Sequence, residues 1–231
     1  MARIFFALAC LAFLILVVNL VVGATSGDYG GSWRSYASVA RTYQKAEKQA
    51  GLAPGELQKL REANDVALDN FLPVRNRMKW HFWLGIIGTL VTILLNSVSV
   101  TYFIGTNRWC MEVVETYSLD SQLAMRSKAI KREAFPWAFG GIVAMITVAA
   151  FGGLADPAGY YGQMSASWVT PHWILASLAT LFVGWSFLIQ VGKIGENYDV
   201  IETILLGVES IRQQRVKERE QDDLSAKAVT D

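Results

Sequence analysis

Four long apolar runs separated by polar segments dominate the hydropathy pattern of this chain. They occupy residues 4–22, 80–104, 136–155 and 172–192, and none contains Asp, Glu, Lys or Arg. Each run is close to the roughly 20 residues that an α-helix needs to cross the hydrocarbon core of a bilayer. The pattern therefore predicts an all-α, polytopic membrane protein with four transmembrane helices.

The run 80–104 has two chemically different sides when it is placed on a helix. Small and polar residues share one side, whereas the aliphatic residues fall mostly elsewhere. Membrane helices approach each other through small residues and interhelical hydrogen bonds, because lipid offers no hydrophobic drive for association. We therefore predict that this helix is the packing hub of the bundle. The residues of its small and polar side are His81, Gly85, Gly88, Thr92, Asn96 and Ser99.

Small residues also predict the contact faces of the third and fourth runs. In the third run, Gly140 pairs with Ala144 and Ala149 with Gly153 at the spacing of close helix contacts. In the fourth run, the corresponding side carries Ser177, Thr180 and Gly184.

The first run has two interpretations. Val22-Gly23-Ala24 offers small residues where a signal peptidase could cut before Thr25. However, the apolar stretch 4–22 is longer than the usual core of a cleaved signal peptide. We therefore favour a retained signal anchor, which becomes the first transmembrane helix, over a removed leader.

The segment 25–79 is polar but has helical spacing in two places. An aromatic stripe marks a first helix; Pro54 can begin a second, which Pro73 is expected to end or bend. The segment predicts a helical hairpin, whose stripe packs on its own second helix or binds another subunit. The stripe consists of Trp33, Tyr36, Ala40 and Tyr43.

Two further polar segments are also expected to be helical. The segment 105–135 should contain two short helices, one of them with Trp109, Val113 and Tyr117 on a single side. After the fourth run, apolar residues keep helical spacing in a tail that could contact residues 109–117 of the same subunit. The tail stripe consists of Ile194, Tyr198, Ile201, Leu205, Val208 and Ile211.

Charge in the loops predicts the orientation. The segment 105–135 has five Lys and Arg residues, whereas 156–171 has none. Because positive charge stays inside, 105–135 and the tail should be cytoplasmic, and four spans place both termini there. The nine Lys and Arg residues of 25–79 oppose this orientation, although long segments translocate with less regard to charge.

The complete predicted division has eight segments. They are 1–24, signal anchor or first transmembrane helix; 25–79, extracytoplasmic helical segment; 80–104, second transmembrane helix; 105–135, cytoplasmic helical loop; 136–155, third transmembrane helix; 156–171, extracytoplasmic loop; 172–192, fourth transmembrane helix; and 193–231, cytoplasmic amphipathic helix and polar tail.

Composition narrows the function without identifying it. Apolar residues make up 52% of the chain, and a net charge of +1 argues against a nucleic-acid partner. No phosphate-binding glycine loop, paired-cysteine metal motif or nucleophile elbow is present, so no catalytic residue and no metal site are predicted. The sequence favours a non-enzymatic protein of the cell membrane.

The absence of Asp, Glu, Lys and Arg from the four runs also argues against proton-coupled transport. Asn19, Asn96 and Gln190 are the strongest polar residues there, and we expect each to bond to a neighbouring helix. The favoured function is a scaffold or accessory subunit without a cofactor, whose partners are the bilayer and other membrane subunits or a second copy. A channel or facilitator for a neutral solute is an alternative, because Thr92, Asn96 and Ser99 could line a polar path.

The two histidines support a second alternative. His81 and His172 each open a span, and in the four-span topology the second and fourth helices run parallel, so both histidines share one face. Two imidazoles from two helices can be the axial ligands of haem b, which would make the protein an electron-transfer or quinone-reacting subunit. Their headgroup depth, among tryptophans, argues instead for two unliganded interfacial histidines.

Overall fold

The computed structural model describes residues 2–49, 53–160, 162 and 164–230, and it is almost entirely helical. Four of its five helices, all except the second, are long and apolar enough to cross a membrane. The described ranges contain no β-strand. These findings confirm the all-helical prediction and are compatible with a multi-pass membrane protein. The helices are α1 (Ala2–Ala24), α2 (Tyr29–Lys48), α3 (Pro54–Thr116), α4 (Ser121–Ala155) and α5 (Ser165–Thr230).

Side-chain caps define several helix ends. Asp28 caps α2 by accepting a hydrogen bond from the backbone N–H of Gly31 at 2.7 Å, which satisfies one of the free donors of the first turn. Pro54 is the first residue of α3, where its missing N–H costs no helical bond. Between α3 and α4, Ser118 adopts a φ of 53°, and Asp120 accepts from the N–H of Gln122.

Helices α3 and α5 extend well beyond the apolar runs, with 63 and 66 residues respectively. Helix α3 continues through Pro73, so the expectation that this proline could end a helix is wrong. Pro73 and Asp69 are both exposed, and water can therefore bond to the Asp69 carbonyl, which loses its helical donor. In the predicted loop 105–135, only residues 117–120 separate two long helices.

The chain forms two compact units. The first comprises Met1–Ala7, Leu95–Gly140 and Trp185–Asp231, and the second comprises Leu8–Leu94 and Gly141–Gly184. In the first unit, the rings of Phe5 and Phe187 meet edge to face with centroids 6.2 Å apart. Its apolar core is built mainly from Phe103, Val114, Ile130, Ala134, Ala138, Ile194, Val200 and Ile204.

Glycines bring α1 close to its neighbours in the second unit. A Cβ atom placed on Gly88 would lie 3.0 Å from Leu16 Cδ2, and one on Gly184 would lie 2.6 Å from Phe13 Cε2. Both distances are below ordinary contact, so these positions need a residue without a side chain. This is the close approach through small residues by which membrane helices associate.

The aromatic stripe of α2 also packs within the second unit. Phe71 of α3 is 2% exposed, and the rings of Tyr29, Trp33 and Tyr36 lie 5.9, 5.7 and 5.2 Å from its ring, centre to centre. Partial burial and the nearby negative charge of Asp156 raise the pKa of the Tyr29 hydroxyl. Trp33 and Tyr36 of the predicted stripe therefore contact α3 of the same chain, as one of the two interpretations expected, and Tyr29, outside the stripe, joins them.

Burial along α3 confirms its predicted faces. Thr92, Asn96 and Ser99 are at most 1% exposed, whereas Leu90 and Leu94 are each 62% exposed. The polar and small side is therefore turned into the protein, and the aliphatic side is exposed on its surface.

The prediction for α4 is partly wrong. Ala149 and Gly153 are exposed, and the buried positions are instead Ala134, Ala138 and Met145. The reason is that alanine and glycine occur on several sides of α4, so small size alone does not identify the side that packs.

Candidate functional site

A cluster of polar side chains lies inside the first unit, where α3, α4 and α5 meet. Gln190 of α5 donates from Nε2 to Asn96 Oδ1 of α3 and to Ser186 Oγ, both at 2.9 Å. Ser186 in turn donates to the backbone carbonyl of Trp137 on α4 at 2.9 Å. Asn96, Ser186 and Gln190 are all fully buried. This central polar cluster confirms that Asn96 and Gln190 are interhelical hydrogen-bond partners.

A second buried group surrounds Asn197 of α5. Its Nδ2 donates to Thr106 Oγ1 at 3.0 Å and to Tyr102 Oη at 3.3 Å, and its Oδ1 accepts from Ser127 Oγ at 3.0 Å. Both Asn197 and Ser127 are at most 1% exposed. The sequence did not predict this group, because Asn197 interrupts an otherwise apolar stripe and its partners lie far away along the chain.

Asn197 also changes the face of α5 that is buried. Val200 and Ile204 are completely buried, whereas Tyr198 and Leu205, which the predicted stripe included, are each 53% exposed. The stripe prediction is therefore wrong at these two positions. A polar residue can occupy the core here because its side chain bonds to three buried or half-buried polar groups, Tyr102, Thr106 and Ser127.

Charged residues surround the edge of the same unit. Lys193 Nζ lies 2.7 Å from Glu133 Oε2 of α4 and 2.9 Å from Glu196 Oε2. Hydrogen bonding to Lys193 lowers the pKa of the Glu133 carboxyl, and its bonds to Glu133 and Glu196 raise the pKa of the Lys193 ammonium. Lys131 Nζ donates to Asn107 Oδ1 at 3.0 Å. These bonds link α4 to α3 and to α5.

The tail of α5 contacts the end of α3 within the same chain. Arg212 donates to Tyr117 Oη at 3.1 Å, and its guanidinium carbon lies 5.9 Å from the centre of the Tyr117 ring. Between these segments is a groove of about 500 Å³. The expected contact between the tail and residues 109–117 is therefore confirmed. The groove is lined by Trp109, Val113, Tyr117, Glu202, Leu205, Leu206, Val208, Glu209 and Arg212.

The structure brings His81 and His172 together in the second unit. Their ring centroids are 6.3 Å apart, with an angle of 76° between the ring planes. His81 belongs to α3 and His172 to α5, and each is half-buried. Because α3 begins at Pro54 and α5 at Ser165, neither histidine lies in the first turn of its helix.

Each imidazole rests on a glycine of a different neighbouring helix. A Cβ atom on Gly23 of α1 would lie 2.7 Å from His81 Cε1, and one on Gly152 of α4 would lie 3.2 Å from His172 Cε1. The sequence analysis did not identify either glycine as a partner of a histidine. Two glycines on two helices thus give the two rings room to enter the bundle.

A backbone carbonyl lies next to the His81 ring. The Asn19 carbonyl, four residues before Gly23, is 3.1 Å from His81 Nδ1. Because a carbonyl oxygen can only accept, His81 Nδ1 is the donor in this contact, and in the neutral ring Nε2 then has the free lone pair. His172 Nδ1 is buried and has no hydrogen-bond partner among the described residues.

The remaining candidates have structural roles. Cys110 is completely buried, and burial raises the pKa of its thiol, which makes it a poor nucleophile at neutral pH. Asn19 contributes its backbone carbonyl to His81, and its side-chain Oδ1 bonds to no described residue. In the described part of the chain, no group of three or more His, Cys, Asp and Glu residues could hold a metal ion.

No family model, no curated protein and no solved structure matches this chain.

Proposed function

We propose that this protein is a non-catalytic integral membrane protein that acts as a scaffold or accessory subunit of a membrane complex. The observation that carries the proposal is the central polar cluster. Asn96, Ser186 and Gln190 are fully buried and bond to one another or to the Trp137 carbonyl. The strongest polar groups of the spans are thus used to hold three helices together, which is the usual role of such residues in membrane bundles.

The same bonds oppose the channel alternative. A pore for a neutral solute needs polar groups that face a continuous open path. Asn96, the strongest polar residue of the supposed path, is 0% exposed and accepts from Gln190. Its carboxamide is therefore better suited to helix packing than to contact with a passing solute.

The cytoplasmic face in this proposal offers a surface for partners. Leu205 and Leu206 border the groove between α3 and α5 and are 53% and 67% exposed. Beyond the groove, Val216 is 55% exposed. Apolar side chains on a helix outside the membrane favour contact with another subunit or with a second copy.

The topology is part of the proposal. We infer that α1 is a retained first span, that both termini are cytoplasmic and that α2 with the start of α3 forms an extracytoplasmic hairpin. Contacts of Leu16 with Gly88 and of Phe13 with Gly184 support a retained α1, because its removal would expose both glycine faces. Intact mass measurement on the purified protein should give 25.6 kDa; a species that begins at Thr25 would contradict retention.

The mass of the particle extracted in mild detergent with its lipids tests the scaffold proposal. We expect a protein mass well above the 25.6 kDa of one chain. The variant Leu205→Glu/Leu206→Glu should lower that mass, because it places charge on the exposed face without touching the core. Truncation after Gly192 is a poorer test, since it would also remove buried Val200 and Ile204.

Leu224→Glu is the matched control, since Leu224 is 68% exposed but lies outside the groove. A wild-type particle that contains a single chain and no other protein would overturn the proposal. Equal effects of the groove and control variants would exclude the groove as the contact surface.

A further inference from the structure

We infer that His81 and His172 form a bis-imidazole site that binds one haem between α3 and α5. The inference goes beyond the scaffold proposal, since an accessory subunit can carry a cofactor or lack one. It depends on the geometry of the histidine pair, which the sequence could only place at one end of the bundle.

The separation of the rings fits two ligands of one metal ion. Metal–imidazole bonds are about 2.0 Å long, so two ligands on opposite sides of an ion have their nitrogens about 4 Å apart and their ring centres about 6 Å apart. The observed centroid separation of His81 and His172 is 6.3 Å. The centroid separation therefore matches that of two imidazoles bound to one ion.

The surroundings of His81 are typical of a metal ligand. Histidines that bind metals usually donate their second ring N–H to a carboxylate or to a backbone carbonyl, which fixes the ring and its tautomer. His81 has such a partner in the Asn19 carbonyl at 3.1 Å. His172 packs on Gly152 as His81 packs on Gly23, and its buried Nδ1 has no hydrogen-bond partner among the described residues.

The number of ligands favours haem over a free ion. Zinc sites in proteins normally have three or four protein ligands, and no third His, Cys, Asp or Glu joins this pair in the described ranges. A porphyrin supplies four nitrogens of its own and leaves two axial positions, which two histidines can fill. A pair without further ligands therefore suits an iron porphyrin.

The surroundings of the pair offer groups for both parts of a haem, its apolar macrocycle and its charged propionates. Both histidines are half-buried, and Trp83 and Trp173, one or two residues away, are about half exposed on the outer surface. Along α3, the exposed cations Arg75, Arg77 and Lys79 precede His81 by two to six residues and supply positive charge for the propionates. Apolar and basic residues thus flank the histidines along the chain.

The test is a titration of the full-length protein, purified in mild detergent, with hemin. We expect one hemin per chain, a Soret band and, after addition of dithionite, the sharp visible bands of a low-spin haem with two nitrogen ligands. His81→Ala and His172→Ala should each lose the low-spin spectrum, and free imidazole in the buffer should restore it. Circular dichroism checks that each variant remains helical.

A pair of neighbouring glycines provides a matched control. Gly152→Ala places a methyl group 3.2 Å from His172 Cε1, whereas Gly153→Ala meets nothing within 4 Å. Changes next to a metal ligand typically weaken binding about 10- to 100-fold. We therefore expect that loss for Gly152→Ala and wild-type hemin affinity for Gly153→Ala.

Three results would overturn the inference. They are a folded wild-type protein that takes up no hemin, a hemin spectrum unchanged by the double variant His81→Ala/His172→Ala, and a bound metal ion without a Soret band. None of these results affects the particle mass, so failure of the haem site and failure of the scaffold proposal are distinguishable.

Discussion

Replacing Gln190 with leucine should destabilise the folded protein through the bond to Asn96. Leucine is similar in size but removes the Nε2 donor that bonds to Asn96 Oδ1 and to Ser186 Oγ at 2.9 Å each. Interhelical hydrogen bonds in membrane proteins contribute about 0.6 kcal/mol on average and at most about 1.7 kcal/mol. The buried acceptors left without a donor add to this loss, so we expect a total of about 1–3 kcal/mol.

A double-mutant cycle isolates the bond between the two residues. Asn96→Leu should also destabilise the protein, but the double variant should lose less than the sum of the single losses, because either single change already removes the bond between Asn96 and Gln190. We expect a coupling energy of about 0.6–1.7 kcal/mol between Asn96 and Gln190. Unfolding by sodium dodecyl sulfate in mixed micelles, followed by circular dichroism, measures each free energy.

Thr101→Leu is the control partner for this cycle. Thr101 is exposed, and its hydroxyl donates to the Ser97 carbonyl of its own helix. Its change should therefore be additive with Gln190→Leu. If Asn96 and Gln190 are also additive within about 0.3–0.5 kcal/mol, the central polar cluster does not hold the helices together. Loss of solute flux in liposomes on Asn96→Leu, with stability unchanged, would instead favour the channel.

Three further predictions concern packing, charge and the buried thiol. Gly88→Ala should destabilise the protein by about 1–3 kcal/mol if the neighbours cannot shift, because the added Cβ would lie 3.0 Å from Leu16 Cδ2. Gly105→Ala, whose Cβ meets nothing within 4 Å, should leave the stability unchanged. The same detergent titration compares the two variants. The Glu133–Lys193 pair should stop contributing to stability as the pH falls through the lowered pKa of Glu133, and also as it rises through the raised pKa of Lys193. Melting curves of Lys193→Met that keep the wild-type pH dependence at both acid and alkaline pH would contradict this. Cys110 should resist a water-soluble maleimide in the folded protein and react after denaturation; mass spectrometry would detect rapid labelling of the native chain, which would refute its burial.

The spans and the inner face of α3 could be predicted because the bilayer imposes simple rules. A helix that crosses it needs a certain length of apolar sequence, and the four uncharged runs satisfy that requirement. On α3, polar and small residues contrast with Leu90 and Leu94, so the exposed side of the helix is visible in the sequence. No such contrast exists on α4, and its packing face was therefore partly misplaced.

Other features depend on partners that are remote along the chain. The burial of Asn197 becomes understandable only when Tyr102, Thr106 and Ser127 are known to bond to it. For the histidines, the sequence predicts only that His81 and His172 lie at the same end of the bundle, because the second and fourth predicted spans run parallel. Their 6.3 Å separation also requires two glycines on other helices, which local spacing does not reveal.

The contacts of α1 impose an order on biosynthesis. Phe5 packs on Phe187, and Phe13 on Gly184, so these contacts of α1 can form only after α5 has been made. Insertion into lipid and association of helices are separable steps in membrane protein folding, and contacts so distant along the chain form slowly. Until translation reaches α5, α1 can use only its contacts with the helices before α5, such as that of Leu16 with Gly88 of α3. A nascent chain that stops before residue 184 would leave Phe5 and Phe13 without these partners.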